Sequence, residues 1–534
     1  MFNKIDKKEL FCLIFILVLA SFLRLWKLDS IPPGLYPDEA INGNEAISSP
    51  GKVFYRENNG REGLFINLIA LSFSLFGPNV FSLRLVPAIC GILTVLGLYF
   101  LTKELFKTIK NQQLTINNEL VALLASFFLA TSFWHINFSR IAFRAILVPL
   151  LLVFSLYFLF KGFRKKRTFD FIFSGILFGL GFYTYIAFRV AVLLLGIILI
   201  SKWLTHKEGS SRKTFIPNAL YFILAITIVA LPIGIYFLKN PSAFLGRAAG
   251  VSIFTQKNPL KALVRSLFSH LLMFNFYGDY NWRHNISGSP VLFWPVGILF
   301  LIGLFYSLRE GYFAFRKKNY SLLTTYFTLI SWWFIMLIPG ILTSEGIPHT
   351  LRSIGAIPPT FIWAGLGGSL IFEAIRKRIP FKVRGLNYYL IIFSLIFLIL
   401  SFILAQYSRY FELWAKNPET ENAFSKDFVG IGNYLNSLAD EIQKYVIVNQ
   451  PGVPVPYPEG IPMSAQTPMF MEVTKFGEAR SIYLLPENLD QIKIEEETEI
   501  VLMKHDQEIF SKLTTMFPMG KIQEENGIWI FKIR

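Results

Sequence analysis

The chain has 534 residues, of which 53% are hydrophobic and only 16% are charged, and its formal net charge is +17. Globular domains average about 45–50% apolar and about 25% charged residues. The composition therefore excludes a disordered chain, a collagen and a small disulfide-stabilised scaffold, and it predicts a membrane protein with several spans. The two cysteines, Cys12 and Cys90, lie in apolar runs and indicate neither a metal cluster nor a disulfide framework.

The charge is distributed unevenly along the chain. Residues 1–407 contain 40 Lys and Arg against 16 Asp and Glu, whereas residues 408–534 contain 12 against 19. This shift predicts a basic transmembrane domain, 1–407, followed by an acidic soluble domain, 408–534. Positive charge in a membrane domain is typical of cytoplasmic loops, so we expect no nucleic-acid partner.

Apolar runs long enough to cross a bilayer recur through the first domain. A span needs about 20 apolar residues. The sequence predicts eleven spans, near 10–28, 81–101, 119–138, 145–162, 168–187, 189–204, 216–238, 291–308, 321–341, 355–375 and 388–407. The apolar stretch Leu64–Gly77 has only 14 residues and is interpreted as a re-entrant or interfacial helix.

The loop charges predict the orientation. Lys and Arg are more frequent in the loops that share a side with the N-terminus, which the positive-inside rule places in the cytoplasm. We therefore expect a multi-pass protein of the cytoplasmic (inner) membrane. With eleven spans, the loops 29–80, 239–290 and 339–354 and the C-terminal domain are extracytoplasmic. Strand-like runs at Tyr445–Val448, Ser481–Leu485, Glu499–Met503 and Ile528–Ile533, with helix-like stretches between them, predict a small α/β domain.

Loop one, residues 29–80, holds six of the 16 acids of the first domain: Asp29, Asp38, Glu39, Glu45, Glu57 and Glu62. A carboxylate beside a membrane face is partly desolvated, which raises its pKa and suits a general base. Two carboxylates brought together could instead hold a divalent cation. Ordinary solvated loop charges are the alternative, against which the tight Pro37-Asp38-Glu39 turn argues.

Three further clusters combine arginine with histidine, an acid or a second arginine: Asp279–Arg283–His284, His349–Arg352 and Arg140–Arg144. Arginine is suited to phosphate because its planar donors can bond two oxygens at once, and histidine serves as a metal ligand or an acid and base. On a helix, Arg140 and Arg144 would share one face. The structural alternatives are an interfacial aromatic belt, a helix cap and snorkelling side chains. Because every cluster falls on the predicted outer side, the pattern favours an enzyme that uses a lipid-phosphate-linked substrate.

Three segments resemble a known family. They are Pro-Asp38-Glu39-Ala after the first span, then Asn-Gly-Arg61-Glu62-Gly-Leu-Phe, then Leu-Phe-Gly-Pro-Asn-Val-Phe-Ser-Leu-Arg84-Leu-Val-Pro. They are similar to the membrane glycosyltransferases of C-type (GT-C) fold. More closely, they resemble the glycosyltransferase 39 group, which includes protein O-mannosyltransferases and lipid A aminoarabinose transferases. The resemblance is clearest over residues 20–200 and extends to about 407.

The resemblance implies transfer of a sugar, with inversion, from a polyprenyl-phosphate donor to a hydroxyl of a protein, lipid or glycan at the outer face. It implies catalytic roles for Asp38, as general base, and Glu39. The growing charge of the leaving phosphate needs cations, and the candidates are Arg283, Arg352, Arg140 and Arg144. The resemblance also implies a divalent metal ion at Glu62 and His284, and the remaining candidates are Arg61, Asp279 and His349.

The sequence departs from the family at two points. Gly63 stands where the aminoarabinose transferases have a lysine that contacts donor phosphate, and the loop around Arg140 lacks the acid that many members carry, so Glu39 or Asp279 would have to assist. A transporter or flippase of a polyprenyl-linked glycan is the alternative function, although transporters place ionisable groups near the bilayer midplane. A non-catalytic scaffold is the third, and it leaves the Asp38–Glu39 turn unexplained.

Overall fold

The structure is a computed structural model that describes residues 6–107, 116–205, 210–378, 386–456, 459–494 and 497–533. Its helices, in chain order, are α1 (Lys7–Leu25), α2 (Pro37–Ser48), α3 (Leu64–Phe76), α4 (Val80–Lys107), α5 (Asn118–Thr131), α6 (Phe133–Phe138), α7 (Leu147–Lys165), α8 (Thr168–Gly181), α9 (Ala191–Thr205), α10 (Ser210–Lys239), α11 (Pro241–Gly250), α12 (Pro259–Leu272), α13 (Trp294–Arg316), α14 (Tyr320–Ile341), α15 (Ile357–Arg378), α16 (Leu386–Tyr407), α17 (Pro418–Ala423), α18 (Lys426–Ser437), α19 (Gln466–Phe476) and α20 (Gln507–Met516). Its strands are β1 (Phe54–Tyr55), β2 (Arg61–Glu62), β3 (Gln443–Ile447), β4 (Pro454–Pro456), β5 (Glu459–Pro462), β6 (Ile482–Leu484), β7 (Thr498–Leu502), β8 (Lys521–Glu525) and β9 (Ile528–Ile533).

The predicted helical membrane fold is confirmed. Eight helical segments among the described residues are long and apolar enough to cross a membrane, and they match the predicted runs other than 10–28, 119–138 and 168–187. The run 10–28 corresponds to α1, which has 19 residues, and the run 119–138 divides into α5 and α6. In the run 168–187, the helix α8 ends at Gly181. The short apolar stretch after loop one forms the 13-residue helix α3.

The chain divides into two compact units whose boundaries differ from a single cut in the sequence. The first unit comprises Met1–Trp26, Pro87–Arg140 and Arg144–Trp414. The second comprises Lys27–Val86, Ile141–Phe143 and Ala415–Arg534, and so includes loop one as well as the C-terminal region. The domain boundary between residues 407 and 408 stays a prediction.

Close helix packing organises the first unit. Helices α13 and α15 approach so closely that a Cβ added at Gly303 would lie 1.9 Å from the Trp363 carbonyl oxygen, and one at Gly367 would lie 2.0 Å from that of Leu299. Small residues permit such contacts between membrane helices, where van der Waals packing replaces the hydrophobic effect. The buried ring of Trp363 continues this packing towards Trp333, 5.8 Å away between ring centroids.

A five-stranded sheet, in the order β6-β3-β7-β9-β8, organises the C-terminal part of the second unit. Strand β3 pairs in parallel with β6 and β7, whereas β9 is antiparallel to β7 and β8. Alternating side chains along the strands form two hydrophobic clusters, one on each face. All four strand-like runs predicted from the sequence are strands, and the predicted small α/β domain is confirmed.

Loop one forms helices within the second unit and packs on this domain. A Cβ added at Gly43 of α2 would lie 2.3 Å from the Phe470 ring of α19, so only glycine allows this contact. The Thr467 hydroxyl of α19 donates to the Leu35 carbonyl oxygen at 2.9 Å. The C-terminal domain therefore holds the segment that carries Asp38.

Candidate active site

The first turn of α2 carries both acids of the Pro-Asp-Glu segment. Pro37 is suited to this position because its missing N–H would have no helical partner there. The Glu39 carboxylate turns back and accepts a hydrogen bond from the Tyr36 amide at 3.3 Å. The local sequence therefore directs Glu39 towards the start of its own helix and leaves Asp38 pointing elsewhere.

Glu39 is fully buried, and both of its carboxylate oxygens have hydrogen-bond partners. Arg84 donates to it from Nη2 at 3.0 Å and from Nε at 3.1 Å, and the Ala142 amide donates at 2.8 Å. A carboxylate held by a permanent cation and backbone amides has little capacity left to accept a substrate proton. The geometry favours a structural role for Glu39, in place of the catalytic role expected from the sequence.

Asp38 has a different environment, although it is the adjacent residue. It is half-buried, and Asn58 donates a hydrogen bond to its Oδ1. Asn58 lies in a turn where it, Asn59 and Gly60 all have positive φ. Asparagine and glycine tolerate this conformation better than other residues. The turn thus orients an accessible carboxylate, which is what a general base needs.

Arg61 lies in the second unit, buried and paired with α2. It donates to the Asn42 side chain at 2.7 Å and to the Glu45 carboxylate. Burial raises the pKa of Glu45 to about 7, and Arg61 only partly opposes this effect. Burial would raise the pKa of the nearby Glu57, but hydrogen bonding and the charge of Arg61 outweigh that effect and lower it. This network ties α2 to the turn that orients Asp38.

Glu62 also lies in the second unit, in β2, where it pairs with Phe54 and is 2% exposed. The neighbouring Gly63 is packed against the backbone, since an added Cβ would lie 2.0 Å from the Lys52 carbonyl oxygen. A lysine at position 63, or any other side chain, would therefore collide with the backbone. The pairing of Glu62 with His284 on one metal ion stays a prediction.

Asp279, His284 and His349 of the first unit form a cluster in which one ligand atom from each lies within 4.8 Å of the others. Asp279 Oδ2 accepts hydrogen bonds from the Thr350 amide and hydroxyl, both at 2.9 Å, and lies 3.0 Å from His284 Nδ1. Burial would raise the pKa of Asp279, but the charge of His284 and its hydrogen bond to the carboxylate outweigh this effect, and the pKa is lowered. Asp279 is therefore ionised and orients His284.

The imidazoles of His284 and His349 lie side by side, with their centroids 4.9 Å apart and their planes tilted by 36°. Burial, helped by the nearby His284 and Arg352, lowers the pKa of His349 well below its ordinary value, so the ring is neutral. Its buried Nδ1 has no hydrogen-bond partner among the described residues. The backbone amide of His349 donates to Nε2 of His270 at 3.1 Å, which fixes the loop. A buried, unpaired imidazole nitrogen beside a carboxylate-oriented imidazole fits the donor set of Zn²⁺ or a similar cation.

The four arginines expected to bind phosphate occupy different environments within the first unit. Arg140 is 0% exposed and donates to the carbonyl oxygens of Leu23 and Trp26 at 3.2 and 2.7 Å. Arg144 begins a separate 3₁₀ turn beyond the end of α6, so the two do not share a helix face as the spacing suggested. Arg283 is half-buried beside Asn281, with 3.4 Å between its Nε and the Asn281 Oδ1.

An apolar cavity of about 370 Å³ lies within the first unit, with Arg352 and Arg189 among its lining residues. Arg352 is held at its wall by Glu345, whose carboxylate accepts from Nη2 at 3.3 Å. The Arg189 guanidinium stacks 4.3 Å from the Phe244 ring centroid, and Arg144 lies over the ring of Tyr185, another lining residue. Sequence reasoning missed Arg189, because an arginine between two apolar runs is equally typical of a snorkelling residue.

Comparison with known proteins identifies the fold. Residues 64–236 match the family model described as dolichyl-phosphate-mannose-protein mannosyltransferase. ArnT from Cupriavidus metallidurans bound to undecaprenyl phosphate is 14% identical and superposes with a TM-score of 0.53 over 97% of both chains. The chain has the GT-C fold. The apo state of the same protein gives 13% identity and a TM-score of 0.51, again over 97% of both chains.

The apo oligosaccharyltransferase of Archaeoglobus fulgidus is also similar, with 15% identity and a TM-score of 0.49. The match covers 82% of this chain but 59% of the length of the oligosaccharyltransferase. A search of curated protein sequences finds no match. The family model and the two ArnT structures confirm the predicted resemblance to the mannosyltransferase and aminoarabinose transferase group.

Proposed function

We propose that this protein is an integral membrane glycosyltransferase that moves a sugar from a polyprenyl-phosphate donor to an acceptor hydroxyl on the outer face of the membrane. The observation that carries the proposal is the contrast within the Asp38–Glu39 pair. Glu39 is neutralised by Arg84 and backbone amides, whereas Asp38 is half-buried and oriented by the side-chain amide of Asn58. One acid thus shapes the site and leaves its neighbour available as a base.

Asp38 would remove the proton from the acceptor hydroxyl, whose oxygen attacks the anomeric carbon. The bond from that carbon to the phosphate oxygen breaks, and the phosphate leaves with the electron pair on its lipid. Attack from the side opposite the leaving group inverts the configuration. A general base of this kind contributes about 10²–10⁴-fold to the rate.

The apolar cavity of the first unit supports a lipid-linked donor. A polyprenyl tail needs an apolar surface, and its phosphate needs donors at the edge of that surface. Arg352 and Arg189 stand among otherwise mainly apolar lining residues. We assign the leaving phosphate to Arg352, with Arg144 and Arg283 as further candidates, and assign Arg140 to packing. The ArnT structure that holds undecaprenyl phosphate has the same fold, which is consistent with this assignment.

His284 and His349, with Asp279 as the orienting carboxylate, would hold a divalent metal ion. A bound cation would supply positive charge near a phosphate. The residues of this chain supply the remainder: Asp279 fixes the tautomer of His284, and burial keeps His349 neutral and able to bind a cation.

Purified protein in proteoliposomes tests the proposal with a set of radiolabelled polyprenyl-phosphate sugars and cell-envelope extract as the acceptor. We expect release of label from one donor, and we expect Asp38→Asn to reduce it by about 10²–10⁴-fold without loss of folded protein. The control Asp29→Asn removes an exposed acid of the same loop and should leave the rate unchanged. Turnover retained by Asp38→Asn would remove Asp38 from the role of base. Movement of intact donor across the bilayer without release would indicate a flippase.

Orientation has its own test. Cys12 is exposed and Cys90 is buried, so both are first replaced. A single cysteine at the exposed position Ser48 should then react with an impermeant thiol reagent from outside. Labelling only after lysis would place loop one in the cytoplasm and contradict an outward-facing reaction.

A further inference from the structure

Helix α12 exposes a row of large apolar side chains. Leu260, Val264 and Phe268 recur every fourth residue and are 75%, 45% and 57% exposed. With 3.6 residues per turn, this spacing places them on one face of the helix. The opposite face is anchored, since Ser266 and His270 are fully buried. The helix is therefore amphipathic, with a polar anchor inside and an apolar row outside.

A basic groove lies beside this row. Lys257, Lys261 and Arg265, also four residues apart, line a groove of about 610 Å³ whose other wall includes Ser344 and Ile347. The described residues that line the groove include no acid. The acid that follows Ser344, Glu345, is engaged with Arg352.

The groove is distinct from the apolar cavity assigned to the donor. The cavity and the groove share no lining residue. An isolated antiparallel β-bridge joins Ser252 and Thr343, which line the cavity, and the residues that follow them, Ile253 and Ser344, line the groove. Amide side chains of Gln256 and Asn258 add uncharged donors to the three cations. A phosphate diester carries one negative charge and several acceptor oxygens, which this set of donors matches.

An apolar row flanked by Lys and Arg is typical of helices that lie in the membrane interface, with the apolar face among acyl chains and the cations at anionic headgroups. We propose that the groove between α12 and the Ser344–Ile347 segment binds the headgroup phosphate of an anionic glycerophospholipid, whose acyl chains cover Leu260, Val264 and Phe268. The inference goes beyond the proposed transfer reaction and does not depend on it.

The test measures lipid affinity, not turnover. Dioctanoyl-phosphatidylglycerol and dioctanoyl-phosphatidylcholine are titrated separately into the purified full-length protein in a neutral detergent, and polyprenyl phosphate is added as a competitor. The key variant is Lys257→Gln/Lys261→Gln/Arg265→Gln. Its matched control, Lys504→Gln/Lys512→Gln/Lys521→Gln, removes the same charge from exposed positions of the α/β domain.

We expect phosphatidylglycerol to bind at least tenfold more tightly than phosphatidylcholine. We expect the key variant to lose at least tenfold in this affinity, and the control to lose less than twofold. In the unmodified protein, 0.5 M salt should weaken phosphatidylglycerol binding, because exposed cations are screened; this arm needs no variant and still decides the question if the triple variant does not fold.

Equal affinity for the two lipids, an unchanged affinity in the key variant, or insensitivity to salt would each overturn the proposal. Stoichiometric displacement of phosphatidylglycerol by polyprenyl phosphate would also overturn it, since the groove would then belong to the donor. Failure of the transfer assay leaves all of these outcomes unaffected, so the two proposals can fail separately.

Discussion

The α2 region of the second unit and the Asp279 loop of the first each bury a carboxylate beside a nitrogen-containing side chain. That side chain is an arginine in the α2 region and a histidine in the Asp279 loop. In the first of these regions, Arg84 neutralises Glu39, and a guanidinium remains charged at every relevant pH. In the other, Asp279 faces His284, whose ring has a second nitrogen that the carboxylate does not use. An acid–arginine pair is closed to further ligands, whereas an acid–histidine pair can still bind one. The contrast separates a structural pair from a candidate binding site.

The largest effect on stability should come from breaking the acid–arginine pair of Glu39 and Arg84. Glu39→Gln leaves the buried Arg84 without its counter-charge, so we expect the folded state to lose about 3–5 kcal/mol. Thermal unfolding of the purified protein measures the loss. Arg84→Met added to Glu39→Gln should restore part of it, because no unpaired charge remains buried. A Glu39→Gln protein that is as stable as the wild type but inactive would return Glu39 to a catalytic role.

The acid–histidine pair of Asp279 and His284, which can still bind a ligand, predicts metal binding. Zinc titrated into the apo protein should bind at one site, and His284→Ala or His349→Ala should reduce binding to background, as read by isothermal calorimetry. Asp279→Asn should weaken binding about 10–100-fold, because it loses the partner that orients His284. His505→Ala, at an exposed histidine of the α/β domain, is the control. Undiminished zinc binding in His349→Ala would show that this cluster is not the site.

The arginines sharpen the comparison within the first unit. Arg352→Gln removes a cavity-lining donor, and we expect the donor KM to rise about tenfold, equivalent to ~1.4 kcal/mol. Arg140→Gln should instead lower thermal stability and leave the donor KM nearly unchanged, because the fully buried Arg140 donates to the backbone carbonyls of Leu23 and Trp26. Arg309→Gln, at an exposed residue of α13, controls for net charge. Kinetics against donor concentration distinguish these outcomes, and an equal effect of Arg140→Gln and Arg352→Gln on KM would reverse the assignment.

The smallest effect concerns pH. The folded-state pKa of Glu45 is about 7, above its ordinary value of 4.5, so the folded protein holds this proton more tightly than the unfolded chain does. The contribution of Glu45 to stability is therefore complete below pH 4.5 and is lost as the pH rises through 7. The lowered pKa of Glu57 acts in the opposite direction at lower pH.

Melting temperatures at pH 5 and pH 8 test this linkage. The wild type should lose more stability between the two than Glu45→Gln, whose side chain does not titrate. Glu508→Gln, at a side chain that is 78% exposed, should behave as the wild type does. An identical pH dependence in Glu45→Gln and wild type would show that Glu45 does not titrate in this window.

Composition and local pattern were sufficient for the membrane fold, the α/β tail and the family resemblance. Apolar runs long enough to span a bilayer, and the alternation of apolar and polar residues along a strand, are local properties of the sequence. They indicate which side chains are buried in the bilayer or in a protein core. The same local information identified Asp38, His284, His349 and Asp279 as candidates, since each stands out in polar loop sequence.

Tertiary structure alone distinguished residues that look equivalent in sequence. Asp38 and Glu39 are adjacent acids, yet Arg84, 45 residues along the chain, pairs with only one of them. Likewise, Asp279 meets Thr350 across 71 residues, and this contact orients the histidine cluster. Whether a charged group is neutralised or available depends on which distant partners fold against it, because ion pairs and buried hydrogen bonds act over a few ångströms in space. No spacing along the chain records that distance.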